Sequence, residues 1–461
     1  MDNLEETKND VSNESEFGTK KMTPLFWKYS IFALAGLMFQ AASVVADGIF
    51  VGQGVGPMGL ATIGIIAPLW TMYVALFGLF GIGGATIAAT KLGEGDEAGA
   101  RKAYGSIMTF TFILGILIAA VFSIGLEPIL NFLGATPDIM PFAKQYAQPY
   151  LLGAPFCIAG SVAYYFARVD EKPKAAAVAY IAPAIIAIAL EYLLVMKLGW
   201  GMKGSAVSWV VCVGLALLLF PYLQLTSTKM KLKLTDLKID MSIIANAVKI
   251  GFAYFAIQIC TTVTTILINN LIIKYGGSEL EIAAFAILNA YIMYIVMLVT
   301  TSFIMGLQPI ASFNIGTKNY QRVAQLIKIA LTHSTAALLV VTAIVFTFAN
   351  QIITFFVGPD PVIVETTASI MRVYMLLFAL GNVSQITAGY YMAVEKSGLA
   401  ILNGISRIII FAVPLLMIIP RIYGLKGIWM AQPGADFLSA VLAIILISGE
   451  YRRLSKAKEL N

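Results

Sequence analysis

The chain is 461 residues long, 59% hydrophobic and 12% charged, with a mean hydropathy of +0.84, whereas a soluble globular chain carries about 25% charged residues. That composition excludes an ordinary soluble enzyme. The net charge of +6 comes from 31 Lys and Arg against 25 Asp and Glu, and basic residues placed between long apolar runs report membrane orientation rather than nucleic-acid binding. Cys157, Cys212 and Cys260 are odd in number, far apart and each inside an apolar run, so neither a disulfide framework nor a zinc site can be built from them. The single histidine, His333, cannot supply a metal cluster, and no GxxxxGKS or GxxxxGKT loop is present for ATP. An ion gradient is the remaining source of power for transport.

In chain order, residues 1–22 are polar and read as a disordered cytoplasmic tail rather than a signal peptide. Apolar runs of about 20 residues, the length that crosses a bilayer as a helix, then follow at 24–51, 58–85, 103–124, 139–166, 174–197 and 203–224. A basic linker spans 225–245, and six further runs occupy 246–274, 281–308, 324–348, 367–393, 398–419 and 426–449. The expected fold is an all-α integral membrane protein with twelve transmembrane helices in two pseudo-symmetric six-helix lobes, 23–224 and 246–450, followed by a short tail at 451–461.

Lys and Arg concentrate in alternate connections. One set holds Lys91, Arg101, Lys102, Arg168, Lys172, Lys174, the linker lysines, Lys318, Arg322, Lys396 and Arg452 with Arg453; three loops of the other set, near 52–57, 125–138 and 349–366, hold no basic residue. The positive-inside rule then places both termini in the cytoplasm, in a multi-pass protein of the inner membrane.

The two halves repeat. Gly83 and Gly93 match Gly306 and Gly316, and Gly201 and Gly204 match Gly424 and Gly427, each pair 223 residues apart. Six spans per copy make the repeat parallel, as in carriers that rock two lobes about a central cavity.

An ionised side chain in the middle of a span costs roughly 2.5–3.5 kcal/mol on insertion scales, so each one needs a reason. Asp47 in span 1 and Glu191 in span 5 lie at one depth, on the order of 8 Å from the extracellular end at 1.5 Å per residue. Facing one cavity, they suit a shared proton, or, with Ser208 of span 6, an oxygen cage for Na⁺; the plainest alternative is a near-surface pair satisfied by water and tyrosines such as Tyr192. Asn270 stands at the position equivalent to Asp47 in the second half. Arg407 in span 11 and Asp436 in span 12 are at comparable depth on consecutive spans and read as a charged intramembrane pair, either structural or in contact with substrate. Gln40, Trp70, Tyr73, Tyr164, Gln258, Asn269, Asn270, Asn289, Met297 and Gln385 are candidates for a substrate cavity, and as polar, aromatic and Met side chains they serve equally as packing between helices.

The stretch GLQPIASFNIGTKNYQRV at 306–323 resembles the GxQPIxxxNxGAxxxxRV signature of the multidrug and toxic compound extrusion (MATE) family, most like its bacterial DinF/MepA-type branch. ADGIFVGQ at 46–53 is similar to that family's span 1 signature, and LEYLLVMKLGWGMKGSAVS at 190–208 to its LDxxFIxxxxxGxxGAA segment, with Glu191 where an aspartate is usual. The run 406–436 matches the family pattern with its arginine at Arg407 and its aspartate at Asp436. The resemblance implies an ion-coupled multidrug antiporter that exports amphipathic, often cationic compounds, with Asp47 and Glu191 as coupling carboxylates and Ser208 as a neighbouring hydroxyl. It implies no resident cofactor beyond the transported H⁺ or Na⁺, no nucleic-acid partner and a sufficient monomer in the lipid bilayer. Ala187 stands where relatives often carry an asparagine, and span 1 lacks the mid-helix proline of some relatives. Losing a neutral oxygen ligand weakens Na⁺ binding more than protonation, so H⁺ coupling is favoured. The rival within transporters is a flippase or exporter of lipid-linked precursors or polysaccharide, which calls for a more basic cavity. A membrane enzyme lacks its nucleophile and base or metal cluster here.

Overall fold

The computed structural model describes residues 15–456, so the expected tail segments at 1–14 and 457–461 lie outside the described residues. Among those described, every regular element is helical. In chain order these are α1 (Glu16–Thr19), α2 (Met22–Gly54), α3 (Pro57–Gly93), α4 (Glu97–Ile124), α5 (Leu126–Phe132), α6 (Met140–Leu152), α7 (Ala154–Val169), α8 (Pro173–Lys197), α9 (Gly201–Thr226), α10 (Met241–Lys274), α11 (Glu279–Gly316), α12 (Tyr320–Thr347), α13 (Ala349–Val357), α14 (Pro361–Tyr374), α15 (Phe378–Ala393), α16 (Ser397–Tyr423) and α17 (Leu425–Lys456). Ten are long and apolar enough to cross a membrane, and twelve spans result when the pairs α6/α7 and α14/α15 are each counted as one. The twelve expected runs therefore each become a helix or a bent helix pair. The bends, 52° between α6 and α7 and 56° between α14 and α15, were not anticipated. The first falls at Gly153, just before Pro155, whose ring cannot continue a helix from the preceding turn.

The described residues divide into two compact units: the first holds 15–19 and Ile31–Gly251, the second Lys20–Ser30 and 252–456. The points of division after Ser30 and Gly251 fall inside α2 and α10. The linker docks on the first unit. Its turn at Leu234–Leu237 places the Asp236 carbonyl where a Cβ at Gly105 of α4 would sit, and Lys102 of α4 binds Asp240 at 2.6 Å. Residues 15–22, expected within the tail, are also structured: Phe17 is buried, and the Ser15 hydroxyl donates to Glu171 at 2.5 Å.

The repeat recurs in detail at the turns. Asp96 caps α4 by accepting from the Gly99 amide, and Asn319, 223 residues later, caps α12 by accepting from the Arg322 amide. The residue before each cap is left-handed, Gly95 at φ 81° and Lys318 at φ 59°, and a second such pair is formed by Glu171 and Glu395 at φ 59° and 60°. Short helices α5 and α13 are also repeat mates and lie in loops that carried no basic residue.

Repeated glycines serve close packing. A Cβ at Gly83 of α3 would fall on the Ala247 carbonyl of α10 in the first unit, and one at Gly306 of α11 would fall on Ser30 of α2 in the second. The opening turns of α2 thus pack into the second unit, where Trp27 Nε1 donates to His333 Nδ1 at 2.8 Å and the Trp27 ring meets Phe303 edge-on.

Candidate functional site

The first unit brings a cluster of polar side chains into an otherwise apolar interior. On α2, Ser43 and Asp47 are one turn apart; on α9, Ser205, Ser208 and Cys212 follow at three and four residues, so each set forms a stripe on one helix face. The Ser205 hydroxyl donates to Asp47 Oδ1. Glu191 is 2% exposed and its carboxyl interacts electrostatically with that of Asp47; its Oε1 has no hydrogen-bond partner among the described residues. Tyr146 of α6 lies in the electrostatic neighbourhood of both carboxyls, and Cys212 of α9 in that of Glu191. Glu191 ends the regular α-helical part of α8, whose last turns, Tyr192–Lys197, are π-helical. Such a widened turn rotates the following side chains off their α-helical positions and is frequent at functional sites.

The hydroxyl against Asp47 is that of Ser205, three residues before the expected Ser208. Ser208 is buried and turns back on its own helix to bond the Gly204 carbonyl at 3.0 Å. Residues i and i+3 share a helix face, so spacing alone does not separate the two. Tyr146 carried no signal: it lies in a run of average hydrophobicity with no acidic neighbour in sequence.

Tyr146 also joins the site to an aromatic stack. Tyr73 lies flat on Tyr150 at 4.8 Å, Tyr150 on Tyr146 at 5.9 Å, and Trp209 meets both Trp70 and Tyr150. Tyr73 is 1% exposed and donates to the Tyr150 carbonyl, and Tyr164 is wholly buried against Tyr180. Their rings are therefore packing surfaces. Gln40 and Trp70 are half-buried.

In the second unit Arg407 Nε and Asp436 Oδ1 are 2.6 Å apart, joining the expected charged pair. Asp436 is fully buried and takes a second bond from Gln432 Nε2 at 3.1 Å; the Arg407 guanidinium lies 5.3 Å from the Phe378 ring centre. Arg407 sits in another π-helical segment, Ser406–Ala412. A third, Leu288–Met293, carries the half-buried Asn289. Gln385 Nε2 reaches Met297 Sδ at 3.4 Å, Gln258 and Asn269 are half-buried, and Asn270, the repeat mate of Asp47, is exposed with its amide on the Ile266 carbonyl. The second half thus lacks a carboxyl pair at the equivalent place.

These features define an internally duplicated, multi-pass membrane protein. The MatE family model matches it twice, over residues 23–193 and 250–420, and the chain belongs to that family. It is similar to the multidrug export protein MepA of Staphylococcus saprophyticus, at 24% identity over 84% of this chain and 85% of the relative. It is also similar to the probable multidrug resistance protein YoeA of Bacillus subtilis, at 23% identity over 98% and 99%. The fold matches an outward-facing multidrug resistance MATE family transporter of the MOP superfamily with a TM-score of 0.89 and 20% identity, covering 95% of this chain and 98% of that one.

Proposed function

We propose that the protein is an ion-coupled multidrug antiporter that exports amphipathic, often cationic small molecules by alternating access, using H⁺ in preference to Na⁺. Family membership and the export proteins among its relatives support the cargo class. The contact between Asp47 and Glu191, flanked by the Ser205 hydroxyl, carries the coupling. A buried Glu191 beside a half-buried Asp47 holds one proton between them, because two carboxylates so close repel. Protonation from one side of the membrane removes that repulsion, and release to the other side restores it. The cycle drives transport when the two conformations bind the proton with different affinity, and linkage then makes drug and proton compete.

Na⁺ needs several oxygens at once. Ala187, one turn before Glu191, offers none, which supports the proton. The buried arginine of the second unit is already held by Asp436, which weighs against a basic site for a lipid-linked pyrophosphate. The Lys and Arg distribution supports cytoplasmic termini.

The test is dye efflux from loaded cells or inverted vesicles under an imposed pH gradient or an Na⁺ gradient. Efflux driven by the pH gradient and abolished by Asp47→Asn and Glu191→Gln is the expected result. Efflux that follows Na⁺ and ignores pH overturns the proton; no dye movement from a folded protein overturns multidrug export.

A further inference from the structure

We propose that a lateral groove on the first unit is a binding site for an anionic phospholipid, with one acyl chain in the groove and the headgroup against the linker lysines. The groove, of about 650 Å³, is lined by Met108 and Phe112 of α4, Phe156 of α7, Leu217 and Phe220 of α9, and Leu237 of the linker turn. That volume is in the range of small-ligand pockets. Its cause is local: at Leu215–Leu218 the helix α9 narrows to 3₁₀ geometry, and this segment is drawn against α7 at Gly160, where a Cβ would lie 2.7 Å from the Leu217 nitrogen. A neighbour with a side chain at position 160 would keep the two helices apart. The rim is apolar and open, with Ile113, Phe156 and Leu218 at 42%, 48% and 62% exposure, as suits a face turned to hydrocarbon.

Charge selects the lipid. Lys229, Lys231, Lys233 and Lys238 make no ion pair among the described residues, whereas the acidic groups of the same segment, Asp236 and Asp240, are already paired with Arg101 and Lys102. The linker that supplies Leu237 to the slot therefore carries uncompensated positive charge, with Lys238 next to Leu237 in sequence. Lysines held near an anionic membrane surface each contribute on the order of a fivefold gain in affinity. A zwitterionic lipid fills the slot but gains nothing from those lysines, and neither outcome depends on the transport reading.

Native mass spectrometry of the detergent-purified full chain, incubated with equal amounts of phosphatidylglycerol and phosphatidylcholine of identical acyl chains, tests the assignment. Phosphatidylglycerol should be retained at least about tenfold over phosphatidylcholine. The K229A/K231A/K233A/K238A variant should lose that preference while keeping phosphatidylcholine, and the groove-filling Thr109→Trp should retain less of both lipids. Ile113→Trp fills the same slot from its rim should Thr109→Trp not purify as a folded, monodisperse protein. Equal retention by the wild type, an unchanged preference in the lysine variant, unaltered retention in both filled variants, or a lipid-free dimer occupying the groove would each overturn the proposal.

Discussion

Replacing Arg407 by Leu removes one partner from the buried pair and leaves Asp436, 0% exposed, with a single remaining donor, Gln432 Nε2 at 3.1 Å. Its Oδ2 already has no hydrogen-bond partner among the described residues, so no second bond compensates. Removing one member of a buried ion pair costs about 3–5 kcal/mol because the other charge stays desolvated, while replacing both by apolar residues of similar volume is about neutral. Arg407→Leu and Asp436→Leu are each expected to lose about 3–5 kcal/mol, and Arg407→Leu/Asp436→Leu to recover most of it, a coupling of about 3 kcal/mol or more. Reversible unfolding of the purified protein in mixed micelles, read by circular dichroism across the four members of the cycle, gives the coupling directly. Single variants that lose under about 1 kcal/mol, the value of an exposed pair, or a double variant that loses the sum of the two, would show that the 2.6 Å contact is not what keeps these charges in the span.

Gly381→Ala probes the same place from the side: its Cβ would lie 2.6 Å from Asp436 Oδ1 and 3.2 Å from Arg407 Nε, so a loss of about 1–3 kcal/mol is expected in the same unfolding assay. Gly83→Ala should be more damaging than Gly306→Ala, because Gly83 faces the rigid Ala247 carbonyl first, whereas Gly306 faces first the Ser30 hydroxyl, which can rotate; equal losses would contradict that account. Lys318→Gly should gain about 1 kcal/mol by relieving a left-handed φ of 59°, since the repeat mate Gly95 already has this solution. Ser205→Ala should impair pH-driven efflux more than Ser208→Ala, because only Ser205 touches Asp47. Outside the spans, the hydrogen bond from Lys102, then those from the Ser242 hydroxyl and amide, hold the Asp240 carboxyl well below its usual range. Its folded value is depressed, so this contribution to linker docking is complete above the ordinary Asp value of about 3.9 and fades as pH falls below it; limited proteolysis of the linker should accelerate only in that acid window.

The spans were legible because each is an apolar run of membrane length bounded by Gly, Pro or charge, a constraint the bilayer imposes on every crossing. The duplication was legible because Gly83 and Gly306 both sit at close helix contacts and Gly93 and Gly316 close the helices α3 and α11. What failed was finer. The bend at Gly153, set by Pro155, lies inside one apolar run that reads as a single span, and α5 and α13 are too short to leave a periodic signal of their own. Ser205 and Ser208 differ only in side-chain direction, which depends on where α2 packs. Tyr146 reaches the carboxyls from a helix more than forty residues before Glu191, a proximity that a single chain's residue order does not announce.

The exchange of helix starts has a consequence for synthesis. Lys20–Ser30 is made early yet belongs to the second unit, and its seat at Gly306 does not exist until α11 has left the ribosome. The first unit in turn stays open along Gly83 until the start of α10 is translated and supplies Ala247. A gene cut at the linker would therefore yield two fragments that are each missing a piece and each carrying the other's. Each half of the chain thus carries a short piece of the other unit's packing.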